Sequence, residues 1–467
     1  MPDFDLIIRG GKVVFPRPRI AQIRDGITQV IQDFTSGIEL VDIAICDGEI
    51  AAVGPELTGA TRETIDAAGL HVFPGVIDSH VHFNEPGRTD WEGFETGSSA
   101  LAAGGGTMFF DMPLNAHPPT LDAASFDQKL AAAQTTSLVD FAFWGGLVPR
   151  NLDKLEGLAD RGVIGFKAFM SNSGISSFPY ADERTLREGM KRAARLGKIV
   201  AVHAESESIT SELAQKFISA GKTSIRDYLD SRPERAELDA IRRALEFAGE
   251  TGCALHIVHV SCGTGVGLVA AARKGGINVT CETCPHYLVL SENDMLQIGA
   301  LAKCAPPLRP TNDGLWQWLV LGGITTIGSD HSPAPAELKS DPNFFRVWGG
   351  ISSIQHTLPL LITKDRGGRL VGPAQLAQLL SANVAERFKL PKKGGIKVGS
   401  DADLALVNLS QGFTVVENDL LYRHRHTPYL GRRLTGKVVQ TILRGQTVFK
   451  DGKIISKPFG RLVRPTR

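Results

Sequence analysis

From Val72 to about Asn383 the chain alternates short apolar runs with helix-like stretches, and the runs number eight: VFPGVIDSH, TMFFDMP, VDFAFWGG, VIGFKAF, KIVAVHAE, ALHIVHVS, INVTCETC and ITTIGSD. Strands buried on both faces read as near-continuous apolar runs, and helices between them make neighbouring strands parallel. Eight such strands in series predict an α/β fold closed as a (β/α)₈ barrel rather than an open doubly wound sheet. The 467 residues exceed what one barrel needs, since about 250 is typical. The surplus lies at both ends and reads as strands: DLIIRGGKVV and VDIAICDGEIAAVG before the barrel, DADLALVNL and VVQTILRGQTVFKDGKII after it. Asp47-Gly48 and Asp451-Gly452 fall between apolar runs, as a tight hairpin turn requires. Strand-rich ends around a different middle predict one small β-sandwich-like domain made from residues 1–71 and 384–467, with the barrel over 72–383. The stretch from Phe15 to Glu39 has no clean period and reads as a surface loop or partly ordered insertion.

The ionisable residues on those eight runs carry the functional signal. His80 and His82 end the first run, Lys167 lies near the end of the fourth, His203 ends the fifth, His259 the sixth and Asp330 the eighth. All lie toward carboxyl ends, the face on which barrel enzymes build their sites. A single histidine in an apolar strand is more often a satisfied core residue than a ligand; the combination is what argues for a site. His80 and His82 stand two apart, so on an extended strand their rings share one side. Four imidazoles and a carboxylate at one barrel mouth suit Zn²⁺ or a similar borderline ion, and two ions if something bridges them. Lys167 is the candidate bridge, although an ammonium cannot ligate a metal and is costly to bury. Its neutral amine could add carbon dioxide, giving a carbamate with one oxygen for each ion. The alternative is a lysine paired with a carboxylate.

Other features narrow the partners. With 42% hydrophobic and 22% charged residues, a formal net charge of +1 and no polybasic block, the composition excludes nucleic acid and anionic membrane surfaces and leaves a small-molecule substrate. No apolar run approaches the roughly 20 residues that span a bilayer. The opening MPDFDLIIRGGKVV begins a strand pattern without the regions of a secretory signal, so a cytoplasmic location is expected. Six cysteines in so long a chain are expected as reduced thiols, and Cys281 and Cys284 lack the second pair of a zinc ribbon. Gly263-Thr264-Gly265-Val266-Gly267 imitates a phosphate loop but lacks the full dinucleotide spacing, so a tight strand-to-helix turn is the expectation. Gly104-Gly105-Gly106 reads as a helix end turning into a strand.

GVIDSHVHFNEPGRTDWEGFETGSSALAAGGGT, followed by DMPLN, GFKAFM, VHAES, IVHVS, ETCPHYL, CAPPLR and GSDHSP, resembles the cyclic amidohydrolases: allantoinases, hydantoinases, dihydropyrimidinases and dihydroorotases. The likeness covers nearly the whole chain, GSDADLALV included. It implies two divalent ions, Zn²⁺ or alternatively Mn²⁺, Co²⁺ or Fe, with carbamylated Lys167 as bridge. His80, His82 and Asp330 would hold one ion, His203 and His259 the other. It also implies a homo-oligomer, as a tetramer. The reaction implied is attack of a bridging hydroxide on a ring carbonyl, with Asp330 carrying the proton to the leaving nitrogen. Hydantoinase-like members carry a tyrosine five residues after the bridging lysine, where this chain has Asn172, whose amide could replace it. Ala305 and Gly349 fall where relatives hold the ring's amide edge through the main chain. Dihydroorotases show an arginine for the substrate carboxylate where this chain has Asn84. NEPGRTDWEGFETG, MPLNAHPPT and VWGGISS most resemble allantoinases, whose substrate bears a neutral ureido arm; Asn84 and Asn115 are the candidates to bond it. Hydantoinase or dihydropyrimidinase comes next, then dihydroorotase. A non-catalytic scaffold relative is the alternative outside enzymes, and the presence of every expected ligand argues against it. His331 is expected to line the pocket or support a ligand, while His117 and His286 read equally as pocket, core or surface residues.

Overall fold

The computed structural model describes residues 3–17, 21–24, 27–30, 37–363 and 371–466. Eight strands make the barrel: β1 (Val76–Val81), β2 (Gly106–Asp111), β3 (Asp140–Phe143, resumed at Gly145–Gly146), β4 (Gly165–Phe169), β5 (Ile199–His203), β6 (Leu255–Ile257), β7 (Val279–Thr283) and β8 (Thr326–Ile327). Every neighbouring pair is parallel. The ring closes through a parallel bridge from Val81 to His331, where the His82 N–H donates to the His331 carbonyl at 2.8 Å. Side chains alternate as a pleat demands. Met108 and Phe110 pack with Trp144, Ile199 and Ala201, and Phe388 meets both Phe110 and Trp144 edge-on. Phe109, between them in sequence, joins the cluster under the helices.

The run VFPGVIDSH turns out to be two strands. His71–Pro74 belongs to the sheet of the chain ends, and the barrel strand starts at Val76. Gly75 makes the crossing possible, because a Cβ there would lie 2.2 Å from Thr107 Oγ1. The sheet of the ends has nine strands. Its order runs Lys453–Ile454, Gln446–Lys450, Arg433–Leu443, Leu404–Thr414, His71–Pro74, Phe4–Val14, Ile38–Cys46 and Glu49–Gly54, with Thr61–Asp66 also pairing on Phe4–Val14. Its core is Leu6, Ile8, Ile43, Ile45, Val72, Leu404, Leu406 and Ile442. Asp47-Gly48 has φ values of 51° and 78°, and Asp451-Gly452 has 48° and 82°. These are the left-handed pairs that let a two-residue hairpin follow the twist of its strands.

Within the irregular stretch, Ala21–Arg24 and Ile27–Val30 pair as an antiparallel hairpin, which the missing period had hidden; its remaining residues fall largely outside those described. The glycine-rich stretch opens the helix Gly263–Lys274. A Cβ on Gly263 would meet the Gly314 backbone at 2.7 Å, so close helix packing accounts for that glycine. Helix Phe94–Ala103 ends at Gly104 and the chain enters β2 at Gly106.

A buried ion cluster ties the two parts together at the amino-terminal end of β3. Lys393 Nζ meets Asp140 at 2.7 Å, Asp401 at 2.7 Å and Asp403 at 2.6 Å. Arg444 pairs with Asp140, and Arg461 with Asp401 at 3.2 Å. The three carboxylates would suit a cation by themselves, but Lys393 already occupies the place between them.

Candidate metal centre

The carboxyl ends of the strands bring four histidines and one aspartate to the floor of a cavity of about 330 Å³. His80 Nε2 lies 3.2 Å and His82 Nε2 3.5 Å from Asp330 Oδ1. Across the floor, His203 Nδ1 faces His259 Nε2 at 3.0 Å. Two nitrogens bound to one tetrahedral ion at about 2.0–2.1 Å each would be roughly 3.3 Å apart, so both groupings have a chelating span. The rings of His80 and His259 lie 5.4 Å apart and join the two sets. His259 and Asp330 hold φ values of 39° and 47°, left-handed backbone that L side chains seldom adopt and that concentrates at functional sites.

Buried carboxylates aim the rings. Glu282 accepts from His80 Nδ1 at 2.8 Å and from Ser79 Oγ at 2.5 Å. Glu205 accepts from His203 Nε2 at 2.8 Å and is itself gripped by Arg232 at 2.6 and 3.1 Å. Each carboxylate fixes a proton on one ring nitrogen and leaves the other lone pair facing the floor, the support that metal-binding histidines use. Burial also drives His82, His203 and His259 below the usual histidine range, and for His259 the neighbouring His203 and Lys167 add to it. These three imidazoles are therefore neutral, as ligation requires. Burial opposes ionisation of Asp330, but His80 and His82 outweigh it and hold the carboxyl at about 2. Glu205 and Glu282 were not singled out in the sequence. VHAES and ETCPHYL contain them, and asking what orients each histidine would have found them.

Lys167 lies on β4 and is fully buried. Its Nζ has no hydrogen-bond partner, and no carboxylate pairs with it among the described residues. A lysine paired with a carboxylate is thus not what the structure shows. Burial brings its amine down to about 7, against the pull of Asp330 and Glu282. A buried amine without a hydrogen-bond partner, in a barrel whose mouth gathers four imidazoles and one carboxylate, fits a bridging carbamate between two ions.

The residues expected to touch substrate divide. Asn115, Asn172, Ala305 and Gly349 line the cavity. Asn115 Nδ2 reaches Ser332 Oγ at 3.5 Å, and Asn172 Oδ1 accepts from the Gly174 N–H at 2.9 Å, leaving its NH₂ group for other partners. Asn84 does not line it. With φ at 65° and 1% exposure, it turns behind the wall and donates to the Pro333 carbonyl at 3.3 Å. His331 is buried at the barrel seam, where its Nδ1 accepts from the Ser353 N–H at 3.1 Å. His117 is exposed outside the cavity, whereas His286 is buried against Tyr287. Arg346, Lys303, Tyr228 and Ser332 also line the cavity and were missed, since nothing in their spacing sets them apart.

Fold and site together define a TIM-barrel protein with a histidine-aspartate floor of metal-ligand type. The chain belongs to the amidohydrolase family, whose model matches residues 71–448. It is 55% identical to an allantoinase of Rubrobacter xylanophilus over 100% of this chain and 99% of that protein. An allantoinase of Deinococcus radiodurans is 48% identical over 99% of each. Among solved structures, the L-hydantoinase (dihydropyrimidinase) of Arthrobacter aurescens superposes with a TM-score of 0.92 at 33% identity, covering 99% of this chain and 100% of that one.

Proposed function

We propose that this chain hydrolyses one ring amide of allantoin, opening the ring to the linear allantoate. The observation that carries the reaction class is the fully buried Lys167 Nζ without a hydrogen-bond partner, on a barrel whose neighbouring strand ends bring four histidines and Asp330 together. In this reading His80, His82 and Asp330 hold one divalent ion and His203 and His259 the other, with Lys167 carbamylated between them; Zn²⁺ is the first choice, then Mn²⁺, Co²⁺ or Fe. Such a pair, when bound, supplies a hydroxide near neutral pH and an electrophile for the ring carbonyl.

The chain's own groups do the rest. Asp330, ionised at working pH, accepts the proton of the attacking water and passes it to the ring nitrogen as the C–N bond breaks. Glu282 and Glu205 keep His80 and His203 in one tautomer throughout. The main chain of Ala305 and Gly349 borders the ring, and the amides of Asn115 and Asn172 offer donors to its oxygens. The choice of allantoin rests on the full-length allantoinase relatives and on this polar wall. Cytosolic homotetramers belong to the same reading, from family resemblance; no described helix is long and apolar enough to cross a membrane.

Two experiments test it. With one metal-loaded preparation, kcat/KM is expected to be highest for allantoin against hydantoin, dihydrouracil and dihydroorotate. The ring chemistry is shared with hydantoin, so the arm must discriminate; polar groups left unpaired without it can cost up to about 10⁴-fold. Comparable efficiency on hydantoin would shift the assignment to a hydantoinase. Lys167→Ala is expected to lose most of its bound metal by elemental analysis, with partial recovery of activity when short carboxylic acids are added. A wild-type metal content in that variant would make the lysine structural and sink the bridge.

A further inference from the structure

One wall of the cavity is formed by Phe345, Arg346, Val347, Trp348 and Gly349, within a segment, Phe344–Gly350, that is neither helix nor strand. Irregular backbone has many accessible shapes unless something fixes it. Here two lysines do so by its carbonyls. Lys303 Nζ donates to Phe344 at 2.7 Å, Val347 at 2.6 Å and Phe345 at 3.4 Å. Lys339 Nζ donates to Trp348 at 2.8 Å, Gly350 at 2.7 Å and, from outside the segment, Ala300 at 3.4 Å. The Gly350 N–H donates back to the Lys303 carbonyl at 2.8 Å.

Neither ammonium has a carboxylate partner among the described residues, which is unusual for a lysine as buried as Lys303, at 4% exposure. Rings take part of the counter-ion's place, with Tyr228 4.5 Å and Phe344 5.2 Å from Lys303 Nζ. The arrangement carries a cost, since burial and the charge of Arg232 pull Lys303 down to about 7. A costly cation spent on loop carbonyls has a structural return: it turns them inward and leaves side chains for the cavity. Trp348 is braced edge-on by Trp91 at 4.8 Å, whereas Arg346 is exposed at the cavity with no ion pair among the described residues.

We propose that Lys303 and Lys339 are positioning residues that preset Phe344–Gly350 as the wall receiving the ureido arm, and that Arg346 is the specificity-determining donor to the arm's carbonyl. The inference rests on the allantoin reading. It is tested by kcat and KM for allantoin and for unsubstituted hydantoin in the metal-loaded wild type, Lys303→Met, Lys303→Arg, Lys339→Met and Arg346→Gln, with bound metal measured in each. The expected result is a rise of about tenfold or more in KM for allantoin in Arg346→Gln, larger than its change for hydantoin, with metal content held; Lys303→Met and Lys339→Met, which also loosen Gly349 beside the ring, raise KM for both substrates and by more for allantoin. Lys303→Arg, which keeps the donors, should recover part of the loss. If Lys303→Met fails to fold, the half-buried Lys339 and exposed Arg346 decide. A wild type without preference for allantoin overturns the allantoin reading and this inference with it. A preference present in the wild type and unchanged in the variants, or lost equally on both substrates, overturns this inference alone.

Discussion

Asp330→Asn is expected to fold like the wild type and to lose activity by between about 10² and 10⁴-fold in kcat from the missing proton transfer alone. Asparagine tolerates the left-handed backbone nearly as well as aspartate, so the φ of 47° poses no new strain. It also keeps an oxygen toward His80 and His82, which lie 3.2 and 3.5 Å away. What disappears is the negative charge and the basic site. The wild-type carboxyl, held at about 2, is ionised across the whole working range, and an amide can neither take a proton from water nor balance a divalent ion. Weaker metal retention should deepen the loss. The check pairs kcat with a thermal unfolding curve: an unshifted melt with a collapsed rate supports the assignment, and a near-normal rate moves the base elsewhere.

Lys393→Met is expected to destabilise the protein by about 3–5 kcal/mol, because removing one partner leaves buried charge uncompensated. Three carboxylates meet at this ammonium, whose side chain is 3% exposed, and among the described residues only Arg444 and Arg461 would remain to oppose their repulsion. Asp140 starts a barrel strand, whereas Asp401 and Asp403 lead into the sheet of the chain ends, so the loss falls on the joint between them. Net stabilities of domains are about 5–15 kcal/mol, which makes the effect a large fraction of the whole. Denaturant titration measures it. A change below about 1 kcal/mol, in the range of an exposed pair, would show that the cluster contributes little.

Much of this was legible in the sequence, for physical reasons. The barrel declared itself because strands covered on both faces cannot disguise their apolar runs, and the hairpins because Asp47-Gly48 and Asp451-Gly452 supply the left-handed pairs their turns need. The histidines stood out as a set, since four imidazoles gathered at the ends of such runs argue for a site where any one alone would more often be a core residue. What depended on distant meetings was hidden. Lys393 finds Asp140 across 253 positions, and Glu282 finds His80 across 202. Asn84 illustrates a subtler limit: its residue type suited a substrate contact, but a left-handed backbone turned its amide onto Pro333 instead. The eighth strand is two residues long, so the seam depends on the His331 bridge rather than on a ladder that periodicity could reveal. Lys303 and Lys339 look like ordinary surface lysines until the carbonyls they hold are seen.

The nine-stranded sheet also constrains how the chain can be made. Its first half, from Phe4–Val14 to His71–Pro74, leaves the ribosome early and can pair within itself. The partner of His71–Pro74 on the other side is Leu404–Val407, translated more than three hundred residues later. Throughout that interval Val72 and Phe73 present an unpaired apolar edge, the kind of template on which chains aggregate. Stalled or truncated synthesis before residue 404 should therefore yield an insoluble product rather than a free barrel, and holding that edge is where a chaperone would matter most to this protein.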